Sequence, residues 1–223
     1  NGYQTMTSYI LNATSVTPLS KNKPRQAIVL CHGYGGDGKD ISTLAINWRR
    51  FLPDAIFLSP NAPEVCVDNP RGYQWFDMRS ENEEIMHEKS LAASEKLNTF
   101  LDQVANNFQL ESSNLALVGF SQGCMISIQT GLQRKDQINC IIGYSGKVIN
   151  QKYLIKNINS KPKIFLMHGT NDAIVSPNHL LEAKDYLKKC GLEIKTKLFK
   201  NCEHNIPVEG TSLGLAFLKK NLL

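Results

Sequence analysis

The feature that most narrows the possible folds is a set of short, continuous apolar runs separated by helical patterns. Residues 27–30, 55–58, 115–118, 140–143 and 163–167 are largely apolar throughout and do not alternate. A strand covered on one face alternates, so these runs read as strands buried on both faces, as in a parallel sheet. Residues 7–11 add a leading edge strand, and the more alternating 193–199 a last one. Between them, Ile41, Leu44, Ala45, Trp48 and Leu52 form one helical stripe. Leu97, Phe100, Leu101, Val104 and Phe108 form another, on a long helix that starts near Glu83. Ser176-Pro177 reads as an N-cap and first-turn proline, with Gly191 as the stop, and a final helix covers 209–222. Strands alternating with helices give an α/β fold, a mostly parallel central sheet with helices on both faces. No repeat, low-complexity tract or linker interrupts residues 1–223, which therefore read as one domain. The longest irregular piece, 59–80, is rich in Pro, Asn and Gly and is a candidate for substrate contact.

Composition removes several classes of function. The net charge of +5 is spread over scattered Lys and Arg, and no basic run is flanked by aromatics. No nucleic-acid partner is expected, and at most peripheral contact with a membrane. The 6 cysteines include no CxxC, and Cys31 and Cys140 sit inside apolar strands. Free buried thiols in a reducing, cytoplasmic setting fit better than a disulfide framework. No apolar stretch reaches the roughly 18 residues of a membrane span, and the first residues lack a charged-then-apolar signal pattern.

The chemistry concentrates at Gly119-Phe120-Ser121-Gln122-Gly123, which follows a buried strand and opens a helix. A G-x-S-x-G sequence has little meaning alone. Between strand and helix it describes a tight turn that lifts the serine to the strand's C-terminal end. Side chains two before and two after the serine would collide there, hence Gly119 and Gly123. The helix behind the serine offers free backbone N–H groups to a developing oxyanion.

A serine hydroxyl needs a base, and the base needs an orienting acid. Asp172 stands in the loop after strand 163–167, and His204 in the loop after the last strand. The competitors fit worse. Asp185 falls mid-helix, and Glu203 is adjacent to His204, where side chains rarely face each other. His179 lies only seven positions beyond Asp172, and His87 in a charged helix start. His32 and His168 each precede a glycine at a strand end and read as structural imidazoles tying down loops. The oxyanion donors would be the N–H of Gln122 and that of Tyr34, in the glycine-rich loop after strand 27–30. A phosphate-binding reading of that loop is weakened by the lack of G-K-[ST] and of G-x-G-x-x-G.

The segments HGYGGDG, PNAPE, RGYQWFD, GFSQGC, GYSGKV, HGTNDAIV and CEHNI occur in that order. Together they resemble the phospholipase/carboxylesterase family, which includes the acyl-protein thioesterases. The resemblance implies an α/β-hydrolase fold without a large cap domain, acting on carboxylic esters, lysophospholipids or S-acyl thioesters. It implies Ser121 as nucleophile, Asp172 as acid, His204 as base, and the N–H groups of Tyr34 and Gln122 as oxyanion donors. Trp75, Phe76 and Asp77 would line an acyl groove. No metal or cofactor is required, and the chain would act as a monomer or weak homodimer. Two departures bear on substrate length: Tyr34 stands where the family usually has Leu, and 80–87 is unusually acidic. A peptidase of the same architecture is disfavoured because the chain has no room for a peptide-selecting domain. A non-catalytic scaffold protein is disfavoured because all three triad residues are present.

Overall fold

The computed structural model describes residues 3–6 and 9–223, with side chains from Tyr9 onward. A central sheet of 8 strands has the order β1-β2-β4-β3-β7-β8-β9-β10. These are β1 (Tyr3–Met6), β2 (Ala13–Val16), β3 (Gln26–Cys31), β4 (Ala55–Pro60), β7 (Leu115–Phe120), β8 (Cys140–Tyr144), β9 (Lys163–Gly169) and β10 (Ile194–Phe199). In this sheet β2 pairs antiparallel with both β1 and β4, and every other pairing is parallel, so the continuous apolar runs are the parallel strands.

The helices are α1 (Gly38–Ile41), α2 (Thr43–Trp48), α3 (Glu83–Phe108), α4 (Gln122–Gln133), α5 (Gln151–Asn157), α6 (Asn178–Lys189) and α7 (Val208–Leu222). Alternate residues of each strand feed opposite cores. Val29, Leu117, Ile141 and Ile164 pack with Leu97 and Phe100 of α3, Ile128 of α4 and Leu187 of α6. Ile28, Val118, Ile142 and Phe165 pack with Trp48 of α2 and Phe217 of α7. Each such side chain, fully buried, contributes about 1.5–3 kcal/mol, which is why the strands carry no polar alternation.

Some elements depart from the expectation. The strand expected at 7–11 does not form over 9–11, which is a bend between β1 and β2; its first two residues lie outside the described ones. β2 (ATSV) and α5 were not anticipated, because β2 carries polar Thr14 and Ser15 and α5 buries only Leu154. α6 begins after Pro177, and the Ser176 hydroxyl accepts from the Asn178 N–H at 3.3 Å. The stretch expected to be irregular, 59–80, contains a hairpin of β5 (Glu64–Cys66) and β6 (Asn69–Gln74), paired antiparallel. Its residues are mostly exposed and polar, and Pro70 lies within it, so it lacks the apolar signature of a strand.

Candidate active site

β3 and β7 are neighbours, with Cys31 opposite Gly119, so the loop after β3 emerges beside the turn after β7. That turn is tight. Ser121 has φ 55° and ψ −117°, a left-handed conformation rare for any residue but glycine. The chain crosses itself there: a Cβ on Gly119 would lie 2.3 Å from the Gly123 carbonyl oxygen, and one on Gly123 2.0 Å from that of Cys31. The second glycine therefore seats α4 directly against β3. A Cβ on Gly33 would stand 3.3 Å from the Cβ of Ser121, which places the backbone leading into Tyr34 against the serine. Gln122, as the first residue of α4, has no intrahelical acceptor for its N–H.

The late strands deliver the other two groups. The Ser121 hydroxyl lies 3.0 Å from His204 Nε2, and His204 Nδ1 lies 2.7 Å from Asp172 Oδ2. The carboxylate can only accept, so Nδ1 carries the hydrogen and Nε2 is left with a lone pair toward the serine. Asp172 is completely buried at its side chain. Its Oδ1 accepts from the N–H groups of Ile174 and Val175 at 2.9 and 2.8 Å. Burial pushes its pKa up, but the bonds from His204, Val175 and Ile174 outweigh that and hold it below the usual carboxylate range. It is therefore an anion at neutral pH, facing the imidazole it orients.

The glycine-rich loop is held from outside by the hairpin. Gly35 N–H donates to the Tyr73 carbonyl and Tyr73 N–H to the Gly36 carbonyl, both at 2.8 Å. Asn69 Nδ2 donates to the Gly35 carbonyl at 2.8 Å, and the Tyr34 hydroxyl to Asp68 Oδ2 at 2.6 Å. From inside, Trp75 Nε1 donates to the His32 carbonyl at 2.9 Å. His32 Nε2 accepts from Ala62 N–H at 2.9 Å, so its hydrogen is on Nδ1, bonded to the Gly33 carbonyl at 2.7 Å. Burial lowers the pKa of His32, and it stays neutral.

A cavity of about 550 Å³ opens beside the serine, lined among others by Tyr34, Ile41, Leu44, Phe120, His204 and Ile206. A cleft of similar volume, about 520 Å³, lies between α3 and the end of α4. Its Arg134 is already bonded to Asp102 and Asn98, each at 2.9 Å, and it holds no nucleophile beside a base.

The family model described as Phospholipase/Carboxylesterase matches residues 12–222. The chain belongs to this family. Acyl-protein thioesterase 1 of Aspergillus fumigatus is 29% identical, over 93% of this chain and 92% of that protein. Esterase YpfH of Escherichia coli is 23% identical, over 90% and 85%. The crystal structure of esterase PE8 is 33% identical, covers 93% of this chain and 97% of that one, and superposes with a TM-score of 0.89. As a phospholipase/carboxylesterase family member the chain is a carboxylic ester hydrolase of α/β-hydrolase fold.

Against the family resemblance, Trp75 and Phe76 are not placed on a groove wall. Each is 1% exposed and sits in the core beneath α3 and α4, and neither lines the cavity beside Ser121. Their main chains serve the turn instead: Trp75 N–H donates to Gln122 Oε1 at 2.8 Å, and Gln122 Nε2 to the Phe76 carbonyl at 2.7 Å. Asp77 is bonded to Arg79 and lies near Lys89. The sequence reading missed the hairpin clamp on the glycine loop. His168, read from sequence as an imidazole tying down a loop, does so: its Nε2 donates to the Val175 carbonyl at 2.8 Å, and it also lies 3.2 Å from Asp172 Oδ2, a contact the sequence did not signal.

Proposed function

We propose that the chain is a carboxylesterase that cleaves carboxylic esters with Ser121 as nucleophile, His204 as general base and acid, and Asp172 as its orienting anion. The observation that carries the reading is the hydrogen-bonded relay from Ser121 through His204 to a buried, ionised Asp172. Neutral His204 takes the Ser121 proton on Nε2 as the serine oxygen bonds to the carbonyl carbon. The oxyanion rests on the N–H groups of Tyr34 and Gln122. Collapse breaks the bond to the leaving alcohol, which receives the proton from Nε2. Water then attacks the acyl carbon, giving its proton to His204, and the acid departs as Ser121 regains a proton. The residues named hold every proton through the cycle.

Cleavage of thioesters is the second reading, favoured by the match to acyl-protein thioesterase 1 over nearly the whole chain. The same cycle serves it, with a thiol in place of the alcohol. The test is turnover of p-nitrophenyl esters from acetate to palmitate, beside the corresponding thioesters, by the wild type and Ser121→Ala. Activity is expected to fall by about 10³-fold or more in the variant. Retention of turnover by Ser121→Ala would remove the serine from the mechanism.

A further inference from the structure

We infer that the cavity between α1–α2 and the His204 loop receives the leaving group and not the acyl chain, so that the enzyme selects esters by a compact, apolar alcohol or thiol. This rests on the triad reading above. In acyl transfer the departing oxygen or sulfur must meet His204 Nε2, since that atom gives it its proton. The leaving group therefore occupies the side of the carbonyl on which His204 stands. The His204 ring is itself a wall of the cavity, packed on Phe120 with ring centroids 4.9 Å apart. The remaining apolar walls are Ile41 at the end of α1, Leu44 of α2 and Ile206 just past His204. A volume of about 550 Å³ is within the range of small-molecule sites.

On its other side the oxyanion loop is tied to the hairpin. The Tyr34 hydroxyl is bonded to Asp68 across it at 2.6 Å, and Asn69 bridges from the hairpin to the Gly35 carbonyl. Behind the loop on that side Trp75 and Phe76 are packed in the core, each 1% exposed. The room lies where the leaving group belongs, and the opposite side accommodates a short acyl group.

Two ester series test this on the full chain. One fixes the acid as acetate and lengthens the alcohol from methanol to hexanol, with benzyl alcohol added. The other fixes the alcohol as methanol and lengthens the acid from acetate to octanoate. Hydrolysis is followed by pH-stat for the wild type, Ile41→Trp, Ile41→Ala and Ser121→Ala. The wild-type kcat/KM is expected to rise by up to about fourfold per methylene along the alcohol series and to fall along the acyl series. Ile41→Trp, which fills the cavity, should abolish the rise with the loss carried mainly by KM. Ile41→Ala should extend the rise to bulkier alcohols. If Ile41→Trp does not fold, judged by its melting temperature and its labelling by a small phosphonate, Ile206→Phe fills the same space from the other wall. A rise with acyl length that Ile41→Trp flattens would overturn the assignment while leaving the triad standing. Undiminished activity of Ser121→Ala in both series would instead remove the triad reading on which the assignment rests.

Discussion

Replacing Gly72 with Ala should impair catalysis far more than it impairs folding. Gly72 lies on β6 with its Cα against the glycine loop: an added Cβ would sit 2.0 Å from the Gly35 carbonyl oxygen and 3.1 Å from Asn69 Nδ2. An ordinary contact of roughly 3.4 Å between carbon and oxygen requires the two backbones to part by more than 1 Å. Neither can yield by rotating a side chain, because the obstructing atom is main chain. The separation strains the Gly35–Tyr73 and Tyr73–Gly36 bonds, each 2.8 Å, and the Asn69 bridge. At about 0.5–1.5 kcal/mol per bond, losing two of the three costs roughly 1–3 kcal/mol of stability. The same shift displaces the Tyr34 N–H, the proposed oxyanion donor one residue before Gly35. Loss of one such donor lowers kcat by about 10²–10³. Hydrolysis of p-nitrophenyl acetate, with phosphonate titration to count competent sites and urea unfolding to measure stability, separates the two effects. Asp68→Asn, which weakens the side-chain clamp and leaves the main-chain bonds, should cost less than about tenfold. Wild-type kcat in a folded Gly72→Ala would refute the claim that the hairpin sets the oxyanion loop.

Gln122→Ala removes the acceptor of the buried Trp75 N–H and the donor to the Phe76 carbonyl. Two orphaned main-chain groups at about 1–3 kcal/mol each predict a loss of roughly 2–6 kcal/mol, read as a lower urea midpoint at unchanged slope. His32 and His168 are held neutral, mainly by burial, so their folded pKa values lie below the ordinary 6.5. As the pH falls below that value the unfolded chain takes up protons first. Stability from these two residues is therefore complete above about pH 6.5 and lost as the pH falls; urea midpoints equal at pH 7.5 and 5.0 would contradict it. Asp172 acts in a lower window, its contribution fading only as the pH drops below the usual carboxylate value of 3.8. Burial pushes the thiols of Cys31, Cys124 and Cys140 up to about 12. They should resist iodoacetamide in the folded protein at pH 8 and react once it is unfolded, with the modified sites located by peptide mass spectrometry.

How much of this was legible in the sequence follows from which residues the chemistry constrains. The parallel strands could be read because burial on both faces forbids polar residues, as in Ala116–Val118 of β7 with none of its side chains exposed. Ser121, Asp172 and His204 could be placed because each follows a strand end, and neighbouring strands bring those ends together. β2 and the β5–β6 hairpin were illegible for the opposite reason. β2 lies between β1 and β4, and the β5–β6 pair stands outside the central sheet; both are held by backbone bonds that leave Thr14, Asn69 and Arg71 free to be polar. Trp75 was misplaced because an aromatic near a candidate site fits a groove wall and a buried support equally well from sequence. Only the partners of its indole and main chain, the His32 carbonyl and Gln122, distinguish the two.

The same partners show why the support is built this way. A glycine loop gains its reach at the expense of rigidity, since each glycine is free to leave the conformation that aims its N–H groups. An oxyanion hole must be rigid before substrate arrives, because donors that reorganise during the reaction return much of their stabilisation. Here the rigidity is supplied from three directions. The hairpin bonds the outer edge at Gly35 and Gly36, the Trp75 indole bonds the His32 carbonyl, and His32 itself spans Ala62 and Gly33. Gln122 then ties the Trp75–Phe76 main chain to the residue after the nucleophile, so the two proposed donors, Tyr34 and Gln122, share one framework. Any variant that loosens this framework should therefore act on kcat more than on KM, whichever ester the enzyme is given.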